Sequence, residues 1–214
     1  MVNIKDIHTH HTRKDAVINA SSCNFSPQVD YYYSVGIHPW DIKDIDVEKT
    51  FDSVTQITQE CKQIIAIGEC GLDATIETPM NVQMSILEKH ITLAESLKKP
   101  LILHCVRRTA EILLLHKNFS PKMPWIIHGF RGNCKVLKNM LNAPNIYISI
   151  GEKFNADAVK LIPNDRILLE TDESDMDIDI ICEKVAIVRN TSAQNLAQNI
   201  SHNICNIFAD VIIS

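Results

Sequence analysis

Asp6-Ile7-His8-Thr9-His10, near the amino terminus, is the stretch from which the fold of this chain can be worked out. Apolar and β-prone residues lead into two histidines one residue apart, and side chains alternate between the faces of an extended strand. His8 and His10 therefore point the same way, and two imidazoles on one face can chelate a transition metal. An HxH pair is also typical of a strand that simply ends in polar residues.

The bulk composition predicts one α/β domain spanning residues 1–214. No apolar run approaches the ~20 residues of a membrane helix, and the first six residues lack a signal peptide's apolar core. The seven cysteines form no CxxC pair, which argues against a disulfide framework. We expect a cytoplasmic protein with no membrane association, and we infer no obligate protein partner. The net charge of −5 disfavours a protein that coats nucleic acid but permits a small anionic substrate or a nucleic-acid end.

Eight short runs are predicted to be strands, because they are almost continuously apolar, as parallel strands buried on both faces are. They cover residues 3–8, 16–20, 32–38, 64–69, 101–104, 125–128, 146–150 and 166–172. Helical patterns follow the later strands, at residues 47–61, 82–98, 109–117, 135–141, 178–188 and about 192–209, with at most two turns at 155–161. This alternation predicts a parallel sheet, and eight strands suggest a (β/α)₈ TIM-type barrel.

The first crossover does not fit a regular barrel. Only residues 11–15 separate His10 from the second predicted strand, whereas a helical crossover needs about a dozen residues. Either the first helix is missing or the strand at 16–20 is misassigned.

Metal-capable side chains stand at the carboxyl ends of the predicted strands, which meet at one rim of a barrel. Taken singly, each has an ordinary explanation: a lone histidine is more often a packing residue, and an acidic residue can start or cap a helix. Six or seven such coincidences instead predict convergence. The residues are His8, His10, His38, Glu69, His104, His128 and Asp172.

The ligand types indicate divalent metal ions. Imidazoles with carboxylates suit Zn, Mn, Fe or Ni, and oxygen-only cages suit Mg or Ca. Four histidines and two acids are too many for one tetrahedral site with an open position. They are enough for two metals about 3.5–4 Å apart, bridged by a carboxylate and a hydroxide. Glu69 is the candidate bridge, because it comes between the two histidine groups.

Basic residues follow several of these strands. Arg107 and Arg131 can bind phosphate or carboxylate oxygens bidentately, and Lys153 follows the seventh strand. Solvated loop charges are the alternative explanation. Cations oppose the dipole at the start of a helix, which favours an anionic substrate. Cys70 and Cys105 alternate with the ligands and should face away from them as small core residues.

At this point the motifs resemble those of the TatD-type metal-dependent hydrolases. In chain order they are HTH (8–10), GIHPWD (36–41), AIGECGLD (66–73), LILHC (101–105), WIIHGFRG (125–132), YISIG (147–151) and LLETD (168–172). That family belongs with amidohydrolase-like barrels, and its better-known members are metal-dependent deoxyribonucleases. The resemblance implies that His8, His10, Glu69 and Asp172 hold one metal, and that Glu69, His104 and His128 hold the other. It places His38 beside the substrate or behind the ligands.

This chain looks like a short, divergent member. Relatives usually have a full helix between the first two strands. Many have an arginine two residues after the fifth-strand histidine, where Val106 stands here, and a proline two residues after the ETD segment, where Ser174 stands. These departures affect how the substrate is covered and which substrate binds. None of them affects a predicted metal ligand.

The sequence therefore predicts a metal-dependent hydrolase acting on ester bonds, with Zn, Mn, Ni or Mg as candidate metals. The hypothesised reaction is attack of a metal-bound hydroxide on a phosphodiester of a DNA end or a small phosphoester. Asp172 would take the nucleophile's proton, Glu69 would bridge, and Arg107, Arg131 and Lys153 would position phosphate oxygens. One alternative is hydrolysis of a small ester or amide at the same site, and another is a barrel that binds metal without catalysis.

Overall fold

Eight parallel strands form the centre of the fold in this computed structural model, which describes residues 4–212. The strands are β1 (Asp6–Thr9), β2 (Ala16–Ala20), β3 (Tyr32–Val35), β4 (Ile64–Asp73), β5 (Leu101–Val106), β6 (Trp125–Ile127), β7 (Ile146–Ile150) and β8 (Ile167–Leu169). Each strand pairs with the next in chain order. The barrel predicted from the sequence is confirmed. The predicted start of the first strand at Asn3 lies outside the described residues.

The sheet closes through residues that follow β8 instead of through β8 itself. The Asp172 N–H donates to the His8 carbonyl at 3.0 Å, and the His10 N–H donates to the Asp172 carbonyl at 3.0 Å. Thr9 and Asp172 thereby form a parallel bridge. The result is a nearly closed barrel, in which the two ends of the sheet meet beside the predicted ligands.

The first crossover is an extended return without a helix. β2 is a true strand, parallel to β1, so the missing-helix interpretation of this region is the right one. Residues 10–15 can span about 20 Å when extended, which suffices to run back along the four residues of β1. The Asp15 carbonyl then accepts the N–H groups of Lys5 and Asp6, at 2.8 and 3.2 Å, and fixes the return at the amino end of β1.

Seven helices follow β3 within the described residues. They are α1 (Val47–Glu60), α2 (Met80–Leu97), α3 (Thr109–Phe119), α4 (Cys134–Leu141), α5 (Ala156–Val159), α6 (Ile178–Val188) and α7 (Ala193–Ile212). Side-chain caps fix several starts, because Asp46, Asn133 and Asp177 each accept an N–H of the first helical turn. None of the described helices combines the length and the apolar character that a membrane span requires.

The core consists of strand side chains packed inside the barrel and against the helices. Every residue of β4 is buried, and so are the leucine and isoleucine side chains of β5 to β7. Each fully buried Ile or Leu contributes roughly 1.5–3 kcal/mol of transfer free energy. The continuous apolar runs are therefore the physical reason that these segments occupy the centre.

The third strand, predicted to reach His38, ends earlier, at Val35. Gly36 lies against β4, where a Cβ atom would sit 2.8 Å from the Glu69 carbonyl oxygen and from Gly68 Cα. Only glycine fits this close approach, and it stands directly after the last residue of β3. The loop that follows carries His38 over the carboxyl end of the barrel.

Candidate metal centre

The seven metal-capable residues predicted at strand ends lie together at the carboxyl-end mouth of the barrel. Their donor atoms form overlapping groups, and within each group all atoms lie within 4.8 Å of one another. The residues are His8, His10, His38, Glu69, His104, His128 and Asp172. Their convergence is observed, and their role as ligands stays a prediction.

Glu69 lies between two sets of ligand candidates, and its Oε2 atom faces the first group, which consists of His8, His10 and Asp172. His8 Nε2 lies 3.2 Å from Oε2, and His10 Nε2 lies 3.7 Å from it. The Asp172 Oδ1 atom is 3.7 Å from His8 Nε2 and 3.6 Å from His10 Nε2. His8 and His10 thus share a face, as the strand alternation predicts.

The Oε1 atom of Glu69 faces the second group, which consists of His104 and His128. His104 Nδ1 lies 3.0 Å from Oε1, and His128 Nε2 lies 2.7 Å from it. Each ring has a carboxylate behind it. Asp73 Oδ2 is 3.0 Å from His104 Nε2, and Glu170 Oε1 is 3.4 Å from His128 Nδ1.

This arrangement fits a divalent metal ion. A neutral imidazole carries one N–H and one lone pair. When the outer nitrogens of His104 and His128 direct their N–H groups at Asp73 and Glu170, the inner lone pairs point at Glu69 Oε1. Three converging acceptors repel one another unless a cation or a proton lies among them. His8 adds a second indication, because neither of its buried ring nitrogens makes a hydrogen bond to a described residue.

The electrostatics of the metal-free chain are consistent with this interpretation. Burial would raise the pKa of Glu69, but the charge of His128 and hydrogen bonds from His10 and His104 hold that pKa far below its ordinary range. Burial would lower the pKa of His128, but the charges of Glu69 and Glu170 place it well above the ordinary value. Protons on imidazole thus balance the carboxylates, so metal binding should release protons.

His38 contacts the cluster in a different way from the ligand candidates. Its Nδ1 atom accepts the backbone N–H of Trp40 at 3.2 Å, so the neutral ring carries its proton on Nε2. That Nε2 atom lies 3.1 Å from Glu69 Oε1. His38 is therefore placed to donate a hydrogen bond to Glu69, and its role beside the substrate or behind the ligands stays a prediction.

Buried polar side chains from neighbouring strands hold the cluster in place. Asn19 in β2 accepts the Glu69 N–H at 3.0 Å, and its own amide reaches Glu69 Oε2 at 3.5 Å. Asp6 accepts both the N–H and the hydroxyl of Thr171, at 3.1 and 2.6 Å, and so fixes the residue before Asp172. Burial raises the pKa of Asp6 to about 7, although the Thr171 hydrogen bonds act to lower it.

The three predicted substrate-binding cations are not equivalent. Arg131 and Lys153 line a cavity of about 260 Å³ that Asp172 also lines. Arg107 is exposed at the end of β5 and does not line that cavity. The cavity also contains Glu152 and Glu173, so its charge is mixed.

Sequence reasoning missed four residues of the cluster: Asn19, Trp40, Asp73 and Glu170. A signal was available for the two acids, since Asp73 lies four residues after Glu69 and Glu170 lies two before Asp172. Even spacing on a strand gives the same face. Asn19 is a polar residue in an otherwise apolar strand. By contrast, Cys70 is buried away from the ligands, as predicted, and His11 turns outward, 3.9 Å from Asp175.

Comparison with known proteins adds independent findings. The family model described as TatD related DNase matches residues 7–209. The uncharacterized metal-dependent hydrolase YabD of Bacillus subtilis is 30% identical over 150 residues, which cover 66% of this chain and 58% of that protein. The 3'-5' ssDNA/RNA exonuclease TatD of Erwinia tasmaniensis is 30% identical over 155 residues, which cover 67% and 58%. The chain spans little more than half the length of these relatives.

The fold has a close counterpart among solved structures. The crystal structure of YJJV, a TatD homolog from Escherichia coli K12, superimposes with a TM-score of 0.85 over 97% of this chain and 98% of that one. At 18% sequence identity, this likeness concerns the fold alone.

Proposed function

The chain belongs to the TatD-related DNase family, and from this membership we propose that it is a metal-dependent hydrolase of phosphodiester bonds in nucleic acid. One observation carries the proposal. The two oxygens of Glu69 face separate imidazole groups, as a carboxylate shared by two metal ions would. The named nucleases among its relatives support nucleic acid as the substrate class.

The proposed metal ligands fall into two sets. His8, His10 and Asp172 would hold one ion together with Glu69 Oε2, and His104 with His128 would hold the other together with Oε1. Divalent cations bound there would acidify a water molecule and neutralise the charge that develops on the phosphate. The carboxylates around the mouth would repel an anionic substrate, and bound cations would offset this repulsion and attract the substrate.

Asp172 is the proposed proton acceptor. Its side chain is 27% exposed, whereas Glu69 is 5% exposed and Glu170 is fully buried. It is therefore the carboxylate of the cluster that solvent and substrate reach most easily. A carboxylate at hydrogen-bond distance from the attacking water can take its proton as the P–O bond forms.

Arg131 and Lys153 are proposed to contact phosphate oxygens, because they line the same cavity as Asp172. Arg107 is proposed to contact the strand further out, from its exposed position after β5. Glu152 is engaged by the Ser174 hydroxyl at 2.8 Å, and this hydrogen bond offsets part of the negative charge in the cavity. A cytoplasmic location is part of the proposal, and it is supported by seven cysteines that are all free.

The test compares wild type with Glu69→Gln and with Glu183→Gln, a control in an exposed carboxylate of α6. Each protein is stripped with a chelator, reloaded with Mn, Zn, Ni or Mg, and assayed for bound metal and for cleavage of a labelled single-stranded oligonucleotide. We expect Glu69→Gln to lose more than about 100-fold in cleavage and part of its metal, because outer partners alone are worth 10- to 100-fold. The control should match wild type.

Two outcomes would contradict the proposal. Cleavage by Glu69→Gln within tenfold of wild type would remove the shared-carboxylate role. Turnover of small esters without any cleavage of oligonucleotides would favour the alternative substrate class. Salt provides a further discriminator, since cleavage of nucleic acid should fall steeply with ionic strength and hydrolysis of a small ester should not.

A further inference from the structure

Trp40 is an exposed aromatic side chain at the mouth of the barrel. It is 55% exposed, whereas Trp125, the other tryptophan of the chain, is 1% exposed. The indole lies next to the cluster, with its ring centroid 5.0 Å from that of His38 and 6.0 Å from that of His104. Large aromatic rings are usually buried, so an exposed indole at this position requires an explanation.

The exposed ring is held in one orientation. Its Nε1–H donates to Asp73 Oδ2 at 2.8 Å, and the same Asp73 oxygen faces His104 Nε2 at 3.0 Å. Asp73 is fixed in turn by the Thr75 N–H and hydroxyl. The ring is thus anchored along one edge, and its orientation is linked to that of a candidate ligand. A pre-ordered surface of this kind loses little conformational entropy when it binds a flat partner.

The surroundings of Trp40 argue against a protein-docking surface. Asp41, Lys43 and Asp44, which follow it along the loop, are all exposed. An isolated aromatic ring among charged side chains is not a contiguous apolar patch. A single flat ring stacked on the indole needs no such patch, so a planar group fits this site better than a protein surface does.

Resting on the proposed function, we propose that Trp40 is a stacking platform for a nucleobase adjacent to the phosphate that is cleaved. Every base presents a π-face, so stacking on an aromatic side chain binds single strands with little sequence preference. The position beside His38 and His104 places the ring within one nucleotide of a phosphate at the cluster. Trp40 is thus assigned the recognition of the base, and Arg131 and Lys153 the recognition of the backbone.

The test uses the metal-loaded protein and two phosphorothioate strands, each five nucleotides long. One strand is oligothymidylate, and the other is its abasic counterpart. Trp40 is the solvent-exposed indole, so its fluorescence should be quenched by the first strand more than by the second. Oligothymidylate should bind about 10-fold more tightly than the abasic strand. In Trp40→Leu, with affinities of all proteins measured from the fluorescence anisotropy of a dye on each strand, this difference in affinity should disappear, and with cleavable strands KM should rise much more than kcat falls.

Two further variants separate stacking from structural support of Asp73. Trp40→Phe keeps a ring but lacks the indole N–H, so it should retain most of the preference for the strand with bases. Leu114→Ala removes a similarly exposed apolar side chain from α3 and should behave as wild type. Loss of the preference in Trp40→Phe to the same extent as in Trp40→Leu would overturn the stacking role.

The proposal and the proposed function fail in different ways. Equal affinity of wild type for both strands, with oligonucleotides still cleaved, would overturn the Trp40 assignment alone. Absence of binding and cleavage of any oligonucleotide, with bis(p-nitrophenyl) phosphate still hydrolysed, would overturn nucleic acid as the substrate and the Trp40 assignment with it.

Discussion

His90 on α2 offers the sharpest quantitative prediction, because it is a fully buried histidine that supports the loop carrying His38. Its Nε2 atom accepts the Ile37 N–H at 3.0 Å, and its Nδ1 faces the Ile86 carbonyl at 2.8 Å. The neutral ring satisfies both contacts. Protonation would put an N–H against an N–H at Ile37 and would place a charge in the core.

The pKa of His90 sets the size of the effect. Burial lowers this pKa from 6.5 to about 4, with a smaller contribution in the same direction from Lys89. Between these values the unfolded chain binds a proton that the folded chain does not, so stability is lost as the pH falls from 6.5 towards 4. One pKa unit corresponds to about 1.4 kcal/mol. The predicted loss from His90 is therefore about 2 kcal/mol between pH 7.5 and 5.0, and about 3 kcal/mol once complete.

The assay is urea unfolding of wild type and His90→Gln at both pH values, with a chelator present so that metal binding contributes nothing. Glutamine keeps a neutral acceptor for the Ile37 N–H but does not titrate. The free energy difference between wild type and His90→Gln should therefore shrink by about 2 kcal/mol on acidification. His202→Gln, at an exposed position of α7, is the matched control and should follow wild type. A wild-type-minus-variant difference that stays constant within about 0.5 kcal/mol would refute the linkage argument.

Four other perturbations test the centre and the strands that carry it. Asp73→Asn removes the carboxylate that faces His104 Nε2, so metal affinity, measured by competition with a chelating dye, should fall about 10- to 100-fold; an unchanged affinity would exclude an orienting role. Gly71→Ala places a Cβ 2.0 Å from the His104 carbonyl oxygen at a φ of +152°, so urea unfolding should show a loss of about 2 kcal/mol or more; a wild-type midpoint would contradict this close packing. Metal added to chelated protein should raise the thermal midpoint, by the equivalent of about 2.7 kcal/mol at 100 times the dissociation constant. His104→Ala should keep the fold and lose most of that gain and of the hydrolysis, and a full gain in this variant would count against His104 as a ligand.

The secondary structure could be predicted largely because the barrel repeats one pattern. Buried parallel strands read as apolar runs, and α2 shows the period of an amphipathic helix. Even the irregular first crossover was visible as a segment too short for a helix. The ends of β3 and β4 were harder to predict: β3 stops at Val35 and β4 continues to Asp73. Residues near these ends pack against distant parts of the chain, as Gly36 does against the Glu69 backbone, and local sequence does not specify such contacts.

The cluster was only partly predictable, for a related reason. Strand alternation and shared strand ends suffice to bring His8, His10 and Glu69 to one place. The roles of Asp73 and Glu170 depend on which ring nitrogen of a neighbouring histidine faces inward, and no spacing rule specifies that. The distinction between Arg107 and Arg131 depends on how each loop leaves its strand, which local sequence does not determine.

The hydrogen bonds that join Asp172 to His8 and His10 make completion of the barrel and completion of the first ligand group one structural event. Until the segment after β8 has docked onto β1, Glu69 is the carboxylate beside this histidine pair, and the group lacks Asp172. Full ligation of an ion would then come late in folding, and a bound ion would stabilise the seam between the two ends of the sheet. Resistance of that seam to local opening, read by amide hydrogen exchange at His10 and Asp172, should therefore rise when metal is supplied.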